Sequence, residues 1–149
     1  GMVKFYFSFF GTYIFFRWPD NFLALKYATE KGIIVIEAGG NGGENLSDPF
    51  YDKPLTGFPP EWKNPFDRTK ADSGCILVGA GAPPEGTHGR NHGPDRSRLG
   101  FSNYGQNIDT QGYGREVTTT GYGDLQSGRR QVMYTDQFSG TSRFAFLYY

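Results

Sequence analysis

The chain has 149 residues, which suits one domain with a modest hydrophobic core. Lysine plus arginine and aspartate plus glutamate number 15 each, and this balance argues against a nucleic-acid or acidic-membrane partner, which would favour a basic excess. With 22 glycines, 9 prolines and 17% aromatic residues, the chain is expected to be rich in loops, with short elements and bulky core side chains.

Residues 1–17 form an atypical aromatic-rich segment that we separate from residues 18–149. Residues 1–2 resemble a cloning remnant before a start codon. Residues 3–18 are shorter than the roughly 20 apolar residues that cross a bilayer, and they lack the cleavage site of a signal peptide. The segment fits either one or two buried strands or translation from a damaged reading frame.

Residues 20–32 carry the signals of a helix. Asp20 or Asn21 can cap its start. Gly32 stands just after the helix, where the left-handed conformation favours glycine. One face at helical spacing is formed by Phe22, Leu25, Ala28 and Thr29.

Residues 33–36, with the sequence IIVI, predict a strand. A run of apolar β-branched residues without alternation indicates burial on both faces, as in parallel sheets. Helix, glycine and buried strand together make half of a βαβ unit. The predicted fold class is therefore α/β, with a mainly parallel sheet and flanking helices.

A long irregular segment follows at residues 39–72, where glycines and prolines break any period. A loop of this length in a compact domain is usually functional. Residues 75–80 predict a second buried strand. Cys75 is the only cysteine, so no internal disulfide can form, and we expect its thiol in the core.

The second half of the chain predicts another loop and three strands. The loop spans residues 81–98, strand-like pieces lie at 108–111 and 116–120, separated by Gly112 and Gly114, and a last strand lies at 134–138. Within the loop, His88 and His92 are four residues apart, a spacing that could bind zinc on a helix. The neighbouring glycines and prolines exclude a helix, so we expect a surface loop and assign no metal ligand.

Two glycine-containing turns carry the candidate chemistry. Asn41 lies in the AGGNG of residues 38–42, and Ser142 follows the Gly-Thr of residues 140–141. A serine on such a turn can be a nucleophile, and an asparagine amide can stabilise an oxyanion. Taken singly, each residue is more often structural, as a turn or a helix cap. The nucleotide fingerprint GxGxxG is incomplete at residues 40–45, so no nucleotide is expected there.

The order of these segments resembles the subtilisin-like serine peptidases, or subtilases. The similar blocks are the helix, strand and AGGN of residues 24–41, the strand at 72–80, the RLGFSNYG at 98–105, the GYG at 112–114 and the FSGTS at 138–142. They are collinear over residues 18–142, so the resemblance covers most of the chain.

The resemblance implies a subtilisin-like α/β fold and a serine endopeptidase that cuts a peptide or protein substrate through an acyl-enzyme. Ser142 would be the nucleophile at a helix N-terminus, and the Asn41 amide would donate a hydrogen bond to the oxyanion. The residues implied around the substrate are Ala38, Gly39, Gly40 and Thr141.

The chain departs from the family pattern on both sides of these blocks. The family's catalytic Asp and His should precede Asn41, but no histidine and no DSG or HGT block does so. After Ser142 the sequence is RFAF, with Phe144 and Phe146 where alanine and proline are usual, and Gly39 replaces a usual alanine. We therefore expect an incomplete catalytic domain from a truncated or frame-disrupted gene, inactive by itself.

Two functions stay open. One is the C-terminal half of a serine endopeptidase domain, and the other is a non-catalytic peptide-binding or structural protein derived from a subtilase. A half-domain exposes sheet edges, so self-association is expected, and no membrane partner is. Subtilases often bind calcium, but no ligand set can be assigned here. The full-length parent would commonly be secreted, whereas the chain itself carries no credible signal.

Overall fold

The computed structural model describes residues 4–5, 17–120, 125 and 133–142. It shows a mixed α/β fold with a parallel sheet, one α-helix and a separate antiparallel strand pair within these residues. The elements are β1 (Lys4–Phe5), α1 (Pro19–Glu30), β2 (Val35–Ala38), β3 (Ile76–Gly81), β4 (Thr110–Tyr113), β5 (Val117–Thr120) and β6 (Tyr134–Phe138).

The sheet has the order β1-β2-β3-β4, and every neighbouring pair is parallel. Ile36 pairs with Ile76, and Val78 pairs with Thr110. Since α1 lies between the parallel strands β1 and β2 in the chain, the predicted α/β class and parallel sheet are confirmed. The loops that follow β2, β3 and β4 leave the sheet at one edge, where ligands bind in many α/β proteins.

The helix α1 begins one residue earlier than the sequence predicted. Pro19 occupies its first turn, and the N-cap residue is Trp18, whose side chain makes no capping hydrogen bond. The predicted cap by Asp20 or Asn21 is therefore wrong. Proline suits the first helical position because its missing N–H would have no helical partner there, and its fixed φ fits the helix. Gly32 ends the helix with φ +76°, as predicted.

The main core lies between α1 and the sheet. Leu25 is buried there, with Phe22 and Ala28 of the predicted apolar face packed against the same cluster. The single cysteine, Cys75, is also part of it, as predicted. The buried members of this cluster are Leu25, Val35, Leu46, Tyr51, Phe66, Cys75 and Leu77.

The strand β2 is displaced by two residues from its prediction at 33–36. Ile33 lies in the connection between α1 and β2, and pairing with β3 starts only at Ile36. Ile34 is 56% exposed, so the expectation of burial on both faces is wrong for this residue. The strand instead includes Glu37, which the apolar run did not reach.

Glu37 is a carboxylic acid in the middle of the sheet. Its exposure is 1%, and neither carboxyl oxygen has a hydrogen-bond partner among the described residues. Burial raises the pKa of Glu37 from 4.5 to about 8 because the charged form loses its hydration. The side chain is therefore protonated over most of the physiological range.

The remaining elements follow the sequence with small shifts. β6 has the predicted bounds, whereas β4 starts two residues later than expected and contains Gly112, which was predicted to break it. The long loop between β2 and β3 includes one 3₁₀ turn at Pro49–Asp52. In the parts of the chain described above, no helix combines the length and apolar character needed to cross a bilayer.

Candidate functional site

The glycine turn that carries Asn41 leaves the carboxyl end of β2. The Gly39 N–H donates to the Val78 carbonyl over 2.8 Å, which extends the β2–β3 contact beyond the strand itself. Gly40 then adopts φ +91°, a conformation that residues with a Cβ rarely adopt. The chain therefore turns sharply out of the sheet just before Asn41.

Asn103 fixes this turn from the side. Its Oδ1 accepts the N–H groups of Gly42 over 3.0 Å and Glu44 over 2.8 Å, and its Nδ2 donates to the Gly39 carbonyl over 2.9 Å. The side chain is buried, so these bonds replace water for three backbone groups. Asn103 belongs to the FSNYG block, but the sequence did not predict this role for it.

Ser102 ties the same block to the sheet. Its hydroxyl accepts the Ala80 N–H over 2.8 Å and donates to the Asn103 carbonyl over 3.0 Å. Because Ala80 is in β3, the FSNYG block connects the central strand to the Asn41 turn. The block thus has a structural task in this chain.

The second turn, residues 140–142, follows β6 directly. The Gly140 N–H donates to the Gly114 carbonyl over 3.1 Å, and Gly140 has φ +126°. Gly114 is itself packed closely, since a Cβ there would lie 2.4 Å from the Ala80 Cβ. The predicted GYG and SGTS blocks therefore meet beside the central strand.

The two turns are joined by the Asn41 side chain. Its Oδ1 accepts the Thr141 N–H over 2.9 Å and lies 3.1 Å from the Thr141 hydroxyl. A backbone N–H can only donate, so it requires the carbonyl oxygen of the amide as its partner. This contact orients the Asn41 amide, with Nδ2 on the side away from the Thr141 N–H.

Ser142 lies beside the same amide. A Cβ built on Gly140 would be 3.5 Å from Asn41 Nδ2 and 3.6 Å from Ser142 Oγ, so both groups border one small space. Asn41 is exposed and Ser142 half-buried. The structure thus brings together the two candidate catalytic residues of the sequence. The helix expected after Ser142 falls outside the described residues.

The other candidate residues surround this contact but are largely occupied within the protein. Thr141 is 2% exposed, and its hydroxyl accepts the Gly40 N–H over 3.2 Å. The N–H and C=O of Gly39 are bonded to Val78 and Asn103. Ala38 is half-buried and pairs with Val78. These backbone groups can shape a pocket, but most of their hydrogen-bonding capacity is already used.

Gly39 is packed against Ile108. A Cβ at Gly39 would lie 2.8 Å from Ile108 Cδ1 and 3.0 Å from the Val78 carbonyl oxygen. The Ile108 side chain therefore occupies the space that a side chain at position 39 would need.

Both histidines of the chain lie in the surface loop that the sequence predicted, His88 exposed and His92 half-buried, and each side chain lies against a carboxylate. His92 Nε2 is 2.7 Å from Glu116, and His88 Nδ1 is 3.6 Å from Asp136. No sequence pattern indicated these pairs, because the partners are far apart in the chain and belong to no common motif. Within the residues that the structure describes, no group of three or more His, Cys, Asp or Glu side chains could hold a metal ion.

An apolar groove of about 230 Å³ lies elsewhere, between the start of α1 and the proline-rich loop. Phe22, Leu23 and Trp62 are among its lining residues, and Asn41 and Ser142 are not. The candidate site therefore rests on the contacts between the two turns, and the groove is no part of it.

Comparisons with known proteins returned no match. A scan against protein-family models matched none of them, and neither the curated proteins nor the solved structures yielded a significant similarity.

Proposed function

We propose that this chain supplies the nucleophile and the oxyanion donor of a subtilisin-like serine endopeptidase site. The observation that carries the proposal is the pair of bonds from Thr141 to Asn41 Oδ1, which sets the Asn41 amide beside Ser142. Two residues singled out from separate segments of the sequence thus border one position, that of a Cβ on Gly140. The collinear blocks of the subtilase pattern support the same conclusion.

The chemistry follows from the two groups. Ser142 Oγ would attack the carbonyl carbon of a peptide bond, and the carbonyl oxygen would become an oxyanion. Asn41 Nδ2 would donate a hydrogen bond to that oxyanion in the transition state. In subtilisin itself, loss of the equivalent donor costs about 100- to 1000-fold in turnover, and we carry this magnitude over as a family expectation.

The proposed site lacks its base. Attack by a serine hydroxyl needs a group that takes its proton, and the family supplies a histidine oriented by an aspartate. The described contacts of both histidines are with Glu116 and Asp136, and none of them is with Ser142. The chain should therefore be nearly inert as a peptidase, and the missing Asp and His would come from a complementary chain.

Serine-directed labelling tests this proposal. The purified chain is mixed with a chain that carries the Asp and His blocks of a subtilase, and a fluorophosphonate probe is added. We expect labelling of Ser142 only in the mixture, and none with Ser142→Ala. Asn41→Asp should still be labelled but should lose roughly the 100- to 1000-fold in turnover of an oxyanion donor. The proposal fails if the mixture forms a stable complex and Ser142 stays unlabelled.

A non-catalytic peptide-binding or structural role is the second candidate. The described contacts of both histidines favour it, because they are with Glu116 and Asp136 and none of them places an imidazole against Ser142. Peptide affinity that survives both Ser142→Ala and Asn41→Asp would support this function. Loss of affinity in Asn41→Asp alone would favour the endopeptidase site.

We also propose that the fold is an incomplete subtilisin-like domain that self-associates or recruits its complement through its sheet edge. Among the described residues, β1 pairs with β2 at Val35 and Ile36, while β2 extends to Ala38. Unpaired edge groups favour the addition of another strand. Analytical ultracentrifugation over a range of concentrations tests this, and a monomer at every concentration would contradict it.

A further inference from the structure

Glu116 is the centre of a second cluster of charged side chains. Its carboxylate accepts hydrogen bonds from Arg90 and lies 2.7 Å from His92 Nε2. His88 Nδ1 is 3.8 Å from the same carboxylate. The Glu116 side chain is 5% exposed, so these contacts replace most of its hydration. We call Glu116, Arg90, His88, His92 and Asp136 the Glu116 cluster.

The backbone around the Glu116 cluster is strained. His88 has φ +49° and Glu116 has φ +58°, and Arg96 in the same loop has φ +61°. These are the non-glycine residues with positive φ in the part of the chain that the structure describes. Such conformations persist where surrounding contacts enforce them, often at functional sites.

The cluster is linked to the strand that leads to Ser142. On one side of Glu116, the Gly114 carbonyl accepts the Gly140 N–H over 3.1 Å. On the other side, Val117 pairs with Phe138 of β6. Glu116 therefore sits between the two points at which its own segment binds the end of β6 and the following turn.

Asp136 connects the cluster to β6 directly. It lies 3.6 Å from His88 Nδ1 and 3.9 Å from Arg90. The loop of residues 86–93 thus contacts β6 and the residue just before β5 through the same two basic side chains, His88 and Arg90. No described contact joins any member of the cluster to Ser142.

We propose that Glu116 is a positioning residue for the turn at residues 140–142. By binding Arg90 and His92 it fixes the segment 114–117, and this segment fixes the end of β6. The distance between Asn41 and Ser142 would then depend on a carboxylate that touches neither of them. The inference rests on the proposed function for what the turn does, but the arrangement can be tested without any peptidase activity.

Amide hydrogen exchange in the full chain is the test. The Gly140 and Thr141 N–H groups report on the turn because they donate to Gly114 and Asn41. In Glu116→Gln, which keeps the shape of the side chain and removes its charge, we expect these two amides to lose about tenfold or more of their protection. The Ala80 amide in β3, which donates to Ser102, should change by less than about twofold.

The pH dependence of the Thr141 amide protection distinguishes positioning by the Glu116 charge from a merely structural role of this side chain. The groups facing Glu116 are Arg90, His88 and His92 from the loop and Asp136 from β6. Burial raises the pKa of Glu116, but the hydrogen bonds from Arg90 and His92 outweigh it and lower the pKa below 4.5. The protection of Thr141, corrected for intrinsic exchange, should therefore fall as pH drops through that lowered value. In Glu116→Gln this fall should be absent.

Two further variants keep the outcome decisive. Asp52→Asn removes a carboxylate bonded to Lys70 over 2.6 Å, away from β6, and should leave Gly140 and Thr141 unchanged. If Glu116→Gln does not fold, Arg90→Gln removes one partner from the same cluster and should show the same pattern. Unchanged protection at both turn amides, or an equal loss at Ala80, would overturn the positioning role. Labelling of Ser142 tests the proposed endopeptidase site, whereas amide exchange tests the positioning role of Glu116. The failure of one can therefore be distinguished from the failure of the other.

Discussion

The Thr141 N–H donates to Asn41 Oδ1 over 2.9 Å, although the two residues are 100 positions apart in the chain. This bond gives the Asn41 amide two separate tasks. Its oxygen stabilises the second turn, and its nitrogen is the proposed oxyanion donor. A substitution that keeps the side-chain oxygen of Asn41 but removes its Nδ2 donor can therefore separate the structural role of this residue from its proposed catalytic role.

Substitutions of Asn41 should reveal the structural role of its side-chain oxygen through the free energy of unfolding. Asn41→Ala leaves the buried Thr141 N–H without a partner, which should cost about 1–3 kcal/mol of unfolding free energy. Asn41→Asp keeps an acceptor oxygen and should cost clearly less. Urea unfolding measures both, with Asn91→Ala as a control for loss of an exposed asparagine that bonds Glu85 and Gly93. Equal losses in Asn41→Ala and Asn41→Asp would contradict the assigned amide orientation.

Replacement of Asn103 by alanine should lower the free energy of unfolding more than replacement of Asn41. Its replacement by alanine removes the partners of Gly42, Glu44 and Gly39 at once. Each backbone group left buried and unpaired costs about 1–3 kcal/mol, so Asn103→Ala should be the most destabilising asparagine substitution in the chain. Asn45→Ala is the matched control because its side chain accepts only the Ser47 N–H among its described bonds. Similar unfolding midpoints for the two variants would show that Asn103 does not hold the Asn41 turn.

Glu37 should make the stability fall as the pH rises. Its folded pKa of about 8 lies above the ordinary value of 4.5, so between these values the folded chain keeps a proton that the unfolded chain releases. Each pH unit in this window should lower the unfolding free energy by about 1.4 kcal/mol, and the loss should end above the folded pKa.

The variant Glu37→Gln removes this dependence because the amide does not titrate. Its stability relative to wild type should therefore improve from about pH 5 to about pH 8 in urea-unfolding series. Glu61→Gln, which alters an exposed carboxylate, serves as the control. Parallel pH profiles for Glu37→Gln and wild type would mean that Glu37 is not protonated in the fold.

Gly114 should not tolerate a side chain. A Cβ at this position would lie 2.4 Å from the Ala80 Cβ and 2.8 Å from Leu99 Cδ1. Overpacking of this kind costs about 1–3 kcal/mol or more, and the displaced Gly114 carbonyl would also lose the Gly140 N–H. Gly100→Ala is the control, since nothing lies within 4 Å of a Cβ there. Thermal unfolding should show a lower midpoint for Gly114→Ala alone, and equal midpoints would refute the close packing.

Local patterns predicted much of the fold. The helical spacing of Leu25 and Ala28 and the left-handed Gly32 are local signals, and α1 formed where they indicated. The apolar run at 33–36 predicted a strand but misplaced it, because pairing with β3 starts only at Ile36. Tertiary contacts, which periodicity does not contain, set that boundary.

The sequence likewise proposed only those candidate site residues that stand in local patterns. Asn41 and Ser142 stand in short glycine turns whose residue types suggest chemistry, so the sequence could propose them as a pair. Glu116 and His92 are 24 positions apart and share no motif, so only the folded chain brings them together. The burial of Glu37 was also unpredictable, since glutamate is ordinarily a surface residue.

The single thiol of Cys75 offers a way to follow these variants without any added probe. Cys75 is 1% exposed, and burial raises the pKa of its thiol, so the folded chain should resist thiol reagents. Every alkylation event must then report an opening of the core between α1 and the sheet. The rate of Cys75 alkylation thus measures how often the core opens, and it can be measured separately from the exchange of the turn amides.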